Sequence, residues 1–273
     1  MPEYLQNLHT HGTFCDGKFT YEEMINRALS LGFTAIGFSG HSYTSFDDIC
    51  CMTLEDTEKY KRHIRELKRK YEGIIDVYCG IEFDLYSEDD PTDYEYVIGD
   101  CHYLKVGGGY IAADYAAPLE FKRAIDTYFG GDGMKAAKQY YESIATLPNL
   151  AKCDIAGHFD LIAKHSEKLD ILNVESAEYK NYALEAVTAV AEKIKIFEIN
   201  VGCISRGYRS YPYPAPFILK LIKELGCGVT ISSDCHHIKY LNTNFDLGLE
   251  LAKSCGFREV MILTNDGFKG MKI

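Results

Sequence analysis

The chain repeats a simple unit: a short apolar run, a polar turn, then a stretch whose apolar positions recur at helical spacing. The apolar runs predict core strands at 4–8, 35–38, 77–81, 96–99, 154–156, 196–199 and 229–231, with a further one near 260–263. Short, continuously apolar runs fit parallel strands covered on both faces. Helices are predicted between them. Residues 21–31 place Met24, Ile25, Ala28 and Leu29 on one face, with Gly32 as a stop. Thr20 is the expected cap, and Glu23, three residues later, completes a capping box. A long basic helix is expected at 54–71, and others at 183–195, 216–225 and 245–254, the last two ending at Gly226 and Gly256. Alternating strands and helices over this length predict an α/β fold, most simply a closed parallel barrel.

Residues 100–149 interrupt the rhythm. They hold a glycine run at 107–109, many tyrosines, and two helical stretches at 119–129 and 134–147. With no internal repeat or linker, residues 1–273 are expected to form one domain, with a lid insertion around 103–149 over the catalytic face.

Composition narrows the function. Hydrophobic residues make up 47% and charged residues 25% of the 273, ordinary globular usage that argues against disorder. The net charge of −11 argues against long nucleic acid held by broad phosphate neutralisation, but leaves room for a small phosphorylated ligand in a local basic pocket. The ten cysteines include no CxxC pair, so neither a zinc ribbon nor a thioredoxin-type site is indicated. No segment reaches the roughly 18 apolar residues of a membrane span, and the N-terminus lacks the apolar core of a signal peptide. A reducing cytoplasm with free thiols is expected. Nothing in the pattern sets an oligomeric state.

The chemistry gathers where the strands end. The strand ends carry His9-Thr10-His11, Gly40-His41-Ser42, Gly80-Ile81-Glu82, Asp100-Cys101-His102, Gly157-His158-Phe159-Asp160 and Ser233-Asp234-Cys235-His236-His237. In a parallel barrel those ends meet on one face. His9 and His11, two apart, point the same way along an extended chain, as do Asp234 and His236. Imidazole and carboxylate ligands suit zinc, manganese or iron, and carboxylates can bridge two ions. Cys101 and Cys235, lying between ligand residues, should face away. His63 sits on a solvated helix face and His165 in a polar loop.

This series of motifs, in this order and over nearly the whole chain, resembles the polymerase-and-histidinol-phosphatase superfamily of metal-dependent phosphoesterases. Asp234-Cys235-His236-His237, Tyr240-Leu241, Asn244-Phe245 and Tyr211-Pro212-Tyr213-Pro214 are similar to its stand-alone histidinol-phosphate phosphatases. The resemblance implies a distorted (β/α)7 barrel with three divalent metal ions, zinc, manganese or iron. It implies one ion on His9, His11, Glu82 and Asp234, a second sharing Glu82 with His102 and His158, and a third on Asp16, His41 and His236. Some members have histidine where this chain has Asp16. The implied reaction is hydrolysis of L-histidinol phosphate to L-histidinol and phosphate, a step of histidine biosynthesis, by attack of a metal-bound hydroxide.

The alkoxide leaving group needs a proton donor or a metal, and Asp160 and His237 are candidates. Asp160 is equally read as a partner that orients a ligand. Arg206 is the favoured phosphate contact, ahead of Arg209 and Lys105. Tyr103, Tyr110 and Tyr115 would close over the imidazole end of the substrate or merely pack a lid. Three rival readings stand beside this one: another small phosphate ester or a nucleotide as substrate, a catalytically inactive barrel, and an amidohydrolase. The complete ligand set speaks against the second, and the ligand pattern against the third.

Overall fold

The computed structural model describes residues 5–149 and 152–273, so Tyr4 of the first predicted strand lies outside the described residues. In chain order the first elements are β1 (Gln6–Asn7), α1 (Tyr21–Ser30), β2 (Ala35–Phe38), α2 (Leu54–Lys70), β3 (Asp76–Asp84) and β4 (Tyr96–Asp100). Then come β5 (Tyr103–Val106), β6 (Gly109–Ala112), α3 (Pro118–Phe129), α4 (Gly133–Ile144), β7 (Ile155–Ala156), α5 (Ala177–Ala191) and β8 (Ile196–Asn200). The last are α6 (Gly202–Ser205), α7 (Pro216–Glu224), β9 (Gly228–Ser232), α8 (Phe245–Ser254), β10 (Glu259–Thr264) and β11 (Gly267–Lys272). The capping box forms as read: the Thr20 hydroxyl accepts from the Glu23 N–H, and the Glu23 carboxylate accepts from the Thr20 N–H. Helix α5 starts six residues earlier than the sequence suggested, because the Ser176 hydroxyl caps it at the Tyr179 N–H.

Seven strands form a parallel sheet in the order β1-β2-β3-β4-β7-β8-β9. The edges β1 and β9 meet just beyond their ends. His11 N–H donates to the Cys235 carbonyl at 2.9 Å, and Cys235 N–H donates to the His9 carbonyl at 3.0 Å, so the barrel closes at its C-terminal rim. Lower in the same seam the Asn7 amide donates to Ser233 Oγ at 2.7 Å and to the Leu241 carbonyl at 3.0 Å. The Gln6 side chain pairs with the backbone of Leu263, donating at 2.9 Å and accepting at 2.8 Å. Leu263 belongs to β10, which pairs with β11 as an antiparallel hairpin outside the barrel sheet. The eighth predicted strand is therefore real but is not a barrel strand.

The inside of the barrel is a small apolar core of Leu8, Ala35, Tyr78, Tyr96, Ile98, Ile155, Ile196 and Leu263. Tyr96 spans it, with its hydroxyl donating to the Leu8 carbonyl at 2.5 Å. The ring fits because β2 and β3 offer Gly37 and Gly80 there, where an added Cβ would collide with it.

The insertion divides into two parts. Strands β5 and β6 form a hairpin through the glycine run, and Ala112, Asp114, Tyr115 and Ala116 line the mouth of the barrel. Helices α3 and α4 do not lie over the mouth. Helix α4 packs on α5 through Tyr141 and Tyr179, whose hydroxyls bond at 2.8 Å, so it belongs to the outer helical layer. Of the expected lid over 103–149, Tyr103, Ala112, Asp114, Tyr115 and Ala116 line the cavity, while α4 buries its apolar face in the outer helical layer.

Gly80→Ala should destabilise the fold by about 1–3 kcal/mol, because the barrel interior has no room for the methyl group. Urea unfolding should show a lower midpoint at an unchanged slope, and a wild-type midpoint would contradict this packing.

Candidate metal centre

The parallel strands aim their C-terminal ends at one face, and all nine expected ligand residues converge there. His9 and His11 follow β1, Asp16 comes from the next loop, and His41 follows β2. Glu82 lies within β3, His102 follows β4, His158 follows β7, and Asp234 and His236 follow β9. Four overlapping groups bring ligand atoms within 4.8 Å of one another: His9, His11 and Asp234; His9, Glu82 and His158; His41, Glu82 and His102; and His11, Asp16, His41 and His236.

Glu82 is the hub. Its Oε1 lies 3.1 Å from His9 Nε2, 3.2 Å from His102 Nε2 and 2.9 Å from His158 Nε2. Its Oε2 lies 2.8 Å from His41 Nδ1 and 3.4 Å from His11 Nε2. Asp234 joins the other side, 3.3 Å from His11 Nε2 and 3.4 Å from His236 Nδ1. Asp234 also holds φ 47, a left-handed conformation that a non-glycine residue keeps only where its surroundings enforce it. Here the enforcement comes from the seam at Cys235 and from Arg206, which donates to Asp234 Oδ2 at 2.7 Å and to its carbonyl at 3.0 Å.

Three imidazoles are backed by buried carboxylates. His9 Nδ1 lies 2.6 Å from Glu198 Oε1, His158 Nδ1 lies 3.0 Å from Asp100 Oδ1, and His102 Nδ1 lies 3.2 Å from Asp84 Oδ2. Each contact leaves Nε2 facing the centre, the arrangement in which a second carboxylate fixes the tautomer of a metal-binding histidine. Gly157 makes room for Asp100, since a Cβ there would meet the carboxylate.

The electrostatics fit divalent cations. Burial opposes ionisation of Glu82 and Asp234, but the surrounding imidazoles, and Arg206 in the case of Asp234, hold both well below the usual carboxylate range. Burial likewise lowers the imidazoles, yet Glu198 and Glu82 hold His9 up, and Glu82 with Asp16 holds His41 up. His11 is the exception: burial and the neighbouring His236 and His41 push it down to about 3, leaving a neutral donor. His9 Nε2, His11 Nε2, Asp16 Oδ1 and Glu82 Oε2 are buried without a hydrogen-bond partner. Buried carboxylate oxygens and imidazole nitrogens converging without hydrogen-bond partners suit hard to borderline metal ions, and the donor set of nitrogen and oxygen matches zinc, manganese or iron.

The centre opens into a cavity of about 700 Å³. Its wall includes Arg206, Lys164, Tyr103, Tyr115, Tyr208 and Tyr213. Arg206 and Tyr115, two of the expected substrate contacts, thus line the cavity. Lys164 was not foreseen: only 7% exposed, it donates to the Asp114 carbonyl at 2.6 Å and lies 4.2 Å over the Tyr208 ring.

Four expected contacts lie elsewhere. Arg209 is buried behind the cavity wall, paired with Asp160 at 3.2 Å and stacked on Tyr211 and Tyr213. Asp160 is equally buried, and its Oδ2 also accepts from the Ala215 N–H, so it anchors the 209–215 segment and is no solvent-facing proton donor. Its alternative role as a direct partner of a ligand histidine is not seen either. His237 turns away, packing on Phe19 and capping Lys239 through Nδ1. Lys105 is exposed on the hairpin and outside the cavity. Tyr110, also considered for the substrate end, stacks on Phe46 at 3.9 Å. Cys101 and Cys235 are absent from the ligand groups among the described residues, their thiols donating to backbone carbonyls.

Sequence reasoning also missed the backing carboxylates, and Glu198 had a signal. In Ile196-Phe197-Glu198-Ile199-Asn200 it is a lone carboxylate in an apolar strand, on the same face as Ile196, which fills the barrel interior.

The same fold occurs in solved structures. A Listeria monocytogenes chain proposed to be a histidinol phosphatase superposes with a TM-score of 0.78 at 20% identity, covering 89% of this chain and 99% of that one. A Lactococcus lactis histidinol phosphate phosphatase, solved with zinc, L-histidinol and phosphate, superposes with a TM-score of 0.72 at 19% identity, covering 97% and 98%. In sequence, a Bacillus subtilis histidinol-phosphatase is 24% identical over 267 residues, 89% of this chain and 97% of the relative. The PHP domain model matches residues 7–202, which takes in seven of the nine converging residues, and the chain belongs to the PHP domain family.

Proposed function

We propose that the protein is a metal-dependent phosphomonoesterase that hydrolyses L-histidinol phosphate to L-histidinol and phosphate. The observation that carries this reading is the convergence of nine imidazole and carboxylate ligands at the floor of a cavity whose wall supplies two cations, Arg206 and Lys164. The Bacillus subtilis relative and the Lactococcus lactis protein with histidinol and phosphate support the same substrate. A family match and a fold alone would leave the ester open.

Three divalent ions, zinc, manganese or iron, fit the ligand sets His9, His11, Glu82 and Asp234; Glu82, His102 and His158; and Asp16, His41 and His236. When bound, such ions activate water near neutral pH and neutralise phosphoryl charge. The protein's own groups do the rest. Arg206, fixed by Asp234, presents the remaining edge of its guanidinium to the phosphate. Lys164 offers a second cation, sharing the Tyr208 ring with Arg206, and, through Asp114, ties the roof to the loop after β7. His165 adds to that tie, donating to the Tyr115 carbonyl at 2.7 Å. Tyr103, Tyr115 and Phe46 line the outer part of the cavity beside Asp48 and Asp114, an aromatic and acidic environment suited to an imidazole and an ammonium group. Ten unpaired cysteines among the described residues favour the reducing cytoplasm as the compartment, and no described helix is long and apolar enough to cross a membrane.

Steady-state phosphate release from L-histidinol phosphate, under manganese, zinc or iron, tests the reading against a panel of sugar phosphates and mononucleotides. Clear preference for histidinol phosphate is expected, and better turnover of another ester would overturn the substrate. His9→Ala or Asp234→Ala should abolish turnover while circular dichroism stays near wild type. Near-normal turnover in either variant would contradict the ligand assignment.

Lys164→Met and Arg206→Met should each remove a charge-assisted contact to phosphate worth about 1.5–3 kcal/mol. That corresponds to a loss of about ten- to a hundredfold in kcat/KM. The inhibition constant for inorganic phosphate should rise in parallel. An unchanged constant would place the phosphate elsewhere.

A further inference from the structure

The three proposed ion positions are not equivalent in this chain. His9, His158 and His102 each turn their second nitrogen to a buried carboxylate, Glu198, Asp100 or Asp84. Two of those carboxylates, Glu198 and Asp84, are themselves held by hydrogen bonds. Glu198 accepts from the Ser232 hydroxyl, the His158 N–H at 2.8 Å and the Asn200 amide at 3.1 Å. Asp84 accepts from the His102 N–H at 2.7 Å and the Tyr86 N–H at 2.7 Å. The side chains of His9, His158 and Glu82 are 0%, 2% and 1% exposed.

The set Asp16, His41 and His236 is built differently. Its side chains are 27%, 15% and 22% exposed, and all three line the cavity, as do Glu82, His102, His158 and Asp234 but not His9 and His11. His41 turns Nε2 to Asp16 at 3.7 Å and Nδ1 to Glu82 at 2.8 Å, so the carboxylate behind it is itself a proposed ion ligand and none is reserved for orienting it. His236 Nδ1 faces the Asp234 carbonyl at 3.0 Å, an acceptor it shares with Arg206, and the carboxylate of the same residue, also a proposed ion ligand, at 3.4 Å. The Arg206 guanidinium itself stands 3.3 Å from that nitrogen, a fixed positive charge beside the set. His11, an inner ligand that also borders this set, has a thiol 3.6 Å from Nδ1 where His9, His158 and His102 have a carboxylate.

Carboxylate backing raises the basicity of a ligand imidazole and fixes its ring, and its loss typically costs ten- to a hundredfold in metal affinity. Exposure and a nearby cation act in the same direction, the first by letting water compete and the second by repulsion. We infer that Asp16, His41 and His236 form an exchangeable outer site whose ion leaves first, while the carboxylate-backed inner pair is retained, so that activity follows free metal concentration through this one site. The inference rests on the metal-dependent reading above. It differs from it in assigning an order of retention and a regulatory role to particular residues.

The test counts ions. Fully loaded protein is equilibrated against graded EDTA, and metal per chain is measured by mass spectrometry alongside phosphate release. The wild type should lose one ion per chain at a chelator concentration at least about tenfold below that which removes the other two. Asp16→Asn should hold two ions and show only the second step, whereas Glu198→Gln should weaken retention of the inner ions and narrow the gap between steps. Loss of all ions in a single step, or three ions retained by Asp16→Asn with the early step intact, would overturn the inference. Stepwise loss from a protein that hydrolyses no phosphate ester would uphold it and overturn the proposed function instead.

Discussion

A single carboxylate, Glu82, is ringed by five imidazoles within 3.4 Å and is only 1% exposed. An ionised group so far from water is tolerable only if positive charge or donors surround it. That requirement fixes much of the architecture. The five histidines arrive from four strand ends, those of β1, β2, β4 and β7, so the strands must be parallel and must close. Closure occurs through the two backbone bonds between His9–His11 and Cys235, at the rim that carries the ligands. The seam and the site therefore depend on the same few residues. Asp234 shows the coupling most directly, held left-handed between the seam and Arg206 while presenting its carboxylate to His11.

Below this polar layer the barrel interior is apolar, and Tyr96 joins the two, its ring among Leu8, Ile98 and Ile196 and its hydroxyl on the Leu8 carbonyl. A rigid floor matters for a metal centre, because ligand positions must hold to a few tenths of an ångström before any ion arrives. Arg209 and Asp160 serve the same end from outside. Their buried pair sits behind Tyr213 and fixes the segment that returns beside Asn200.

Much of the fold was legible because short apolar runs and capped helices have strong local signals. Residues 35–38 and 245–254 coincide with β2 and α8, and both Gly226 and Gly256 take the positive φ that ends a helix. The hairpin β10–β11 was misplaced because an apolar run does not say which sheet it joins. Helices α3 and α4 were misplaced as a lid because amphipathicity marks a buried face without naming the surface that buries it. At the site, the ligand residues stood out as histidines and carboxylates at strand ends. Asp160 and His237 shared that appearance, yet their side chains lead into the wall or outward.

The sequence by itself determined the parallel α/β alternation and the nine histidines and carboxylates that converge at one face, since both are written in residue type and spacing at strand ends. Only the tertiary structure decided which groups stand behind the ligands. Glu198 reaches His9 across 189 residues, and Lys164 reaches Asp114 across 50. Such partners are set by strand order and by the side on which a residue faces the barrel. A local pattern carries the second of these but not the first, which is why Glu198 reads as an inward carboxylate in sequence and as the support of His9 only in the folded chain.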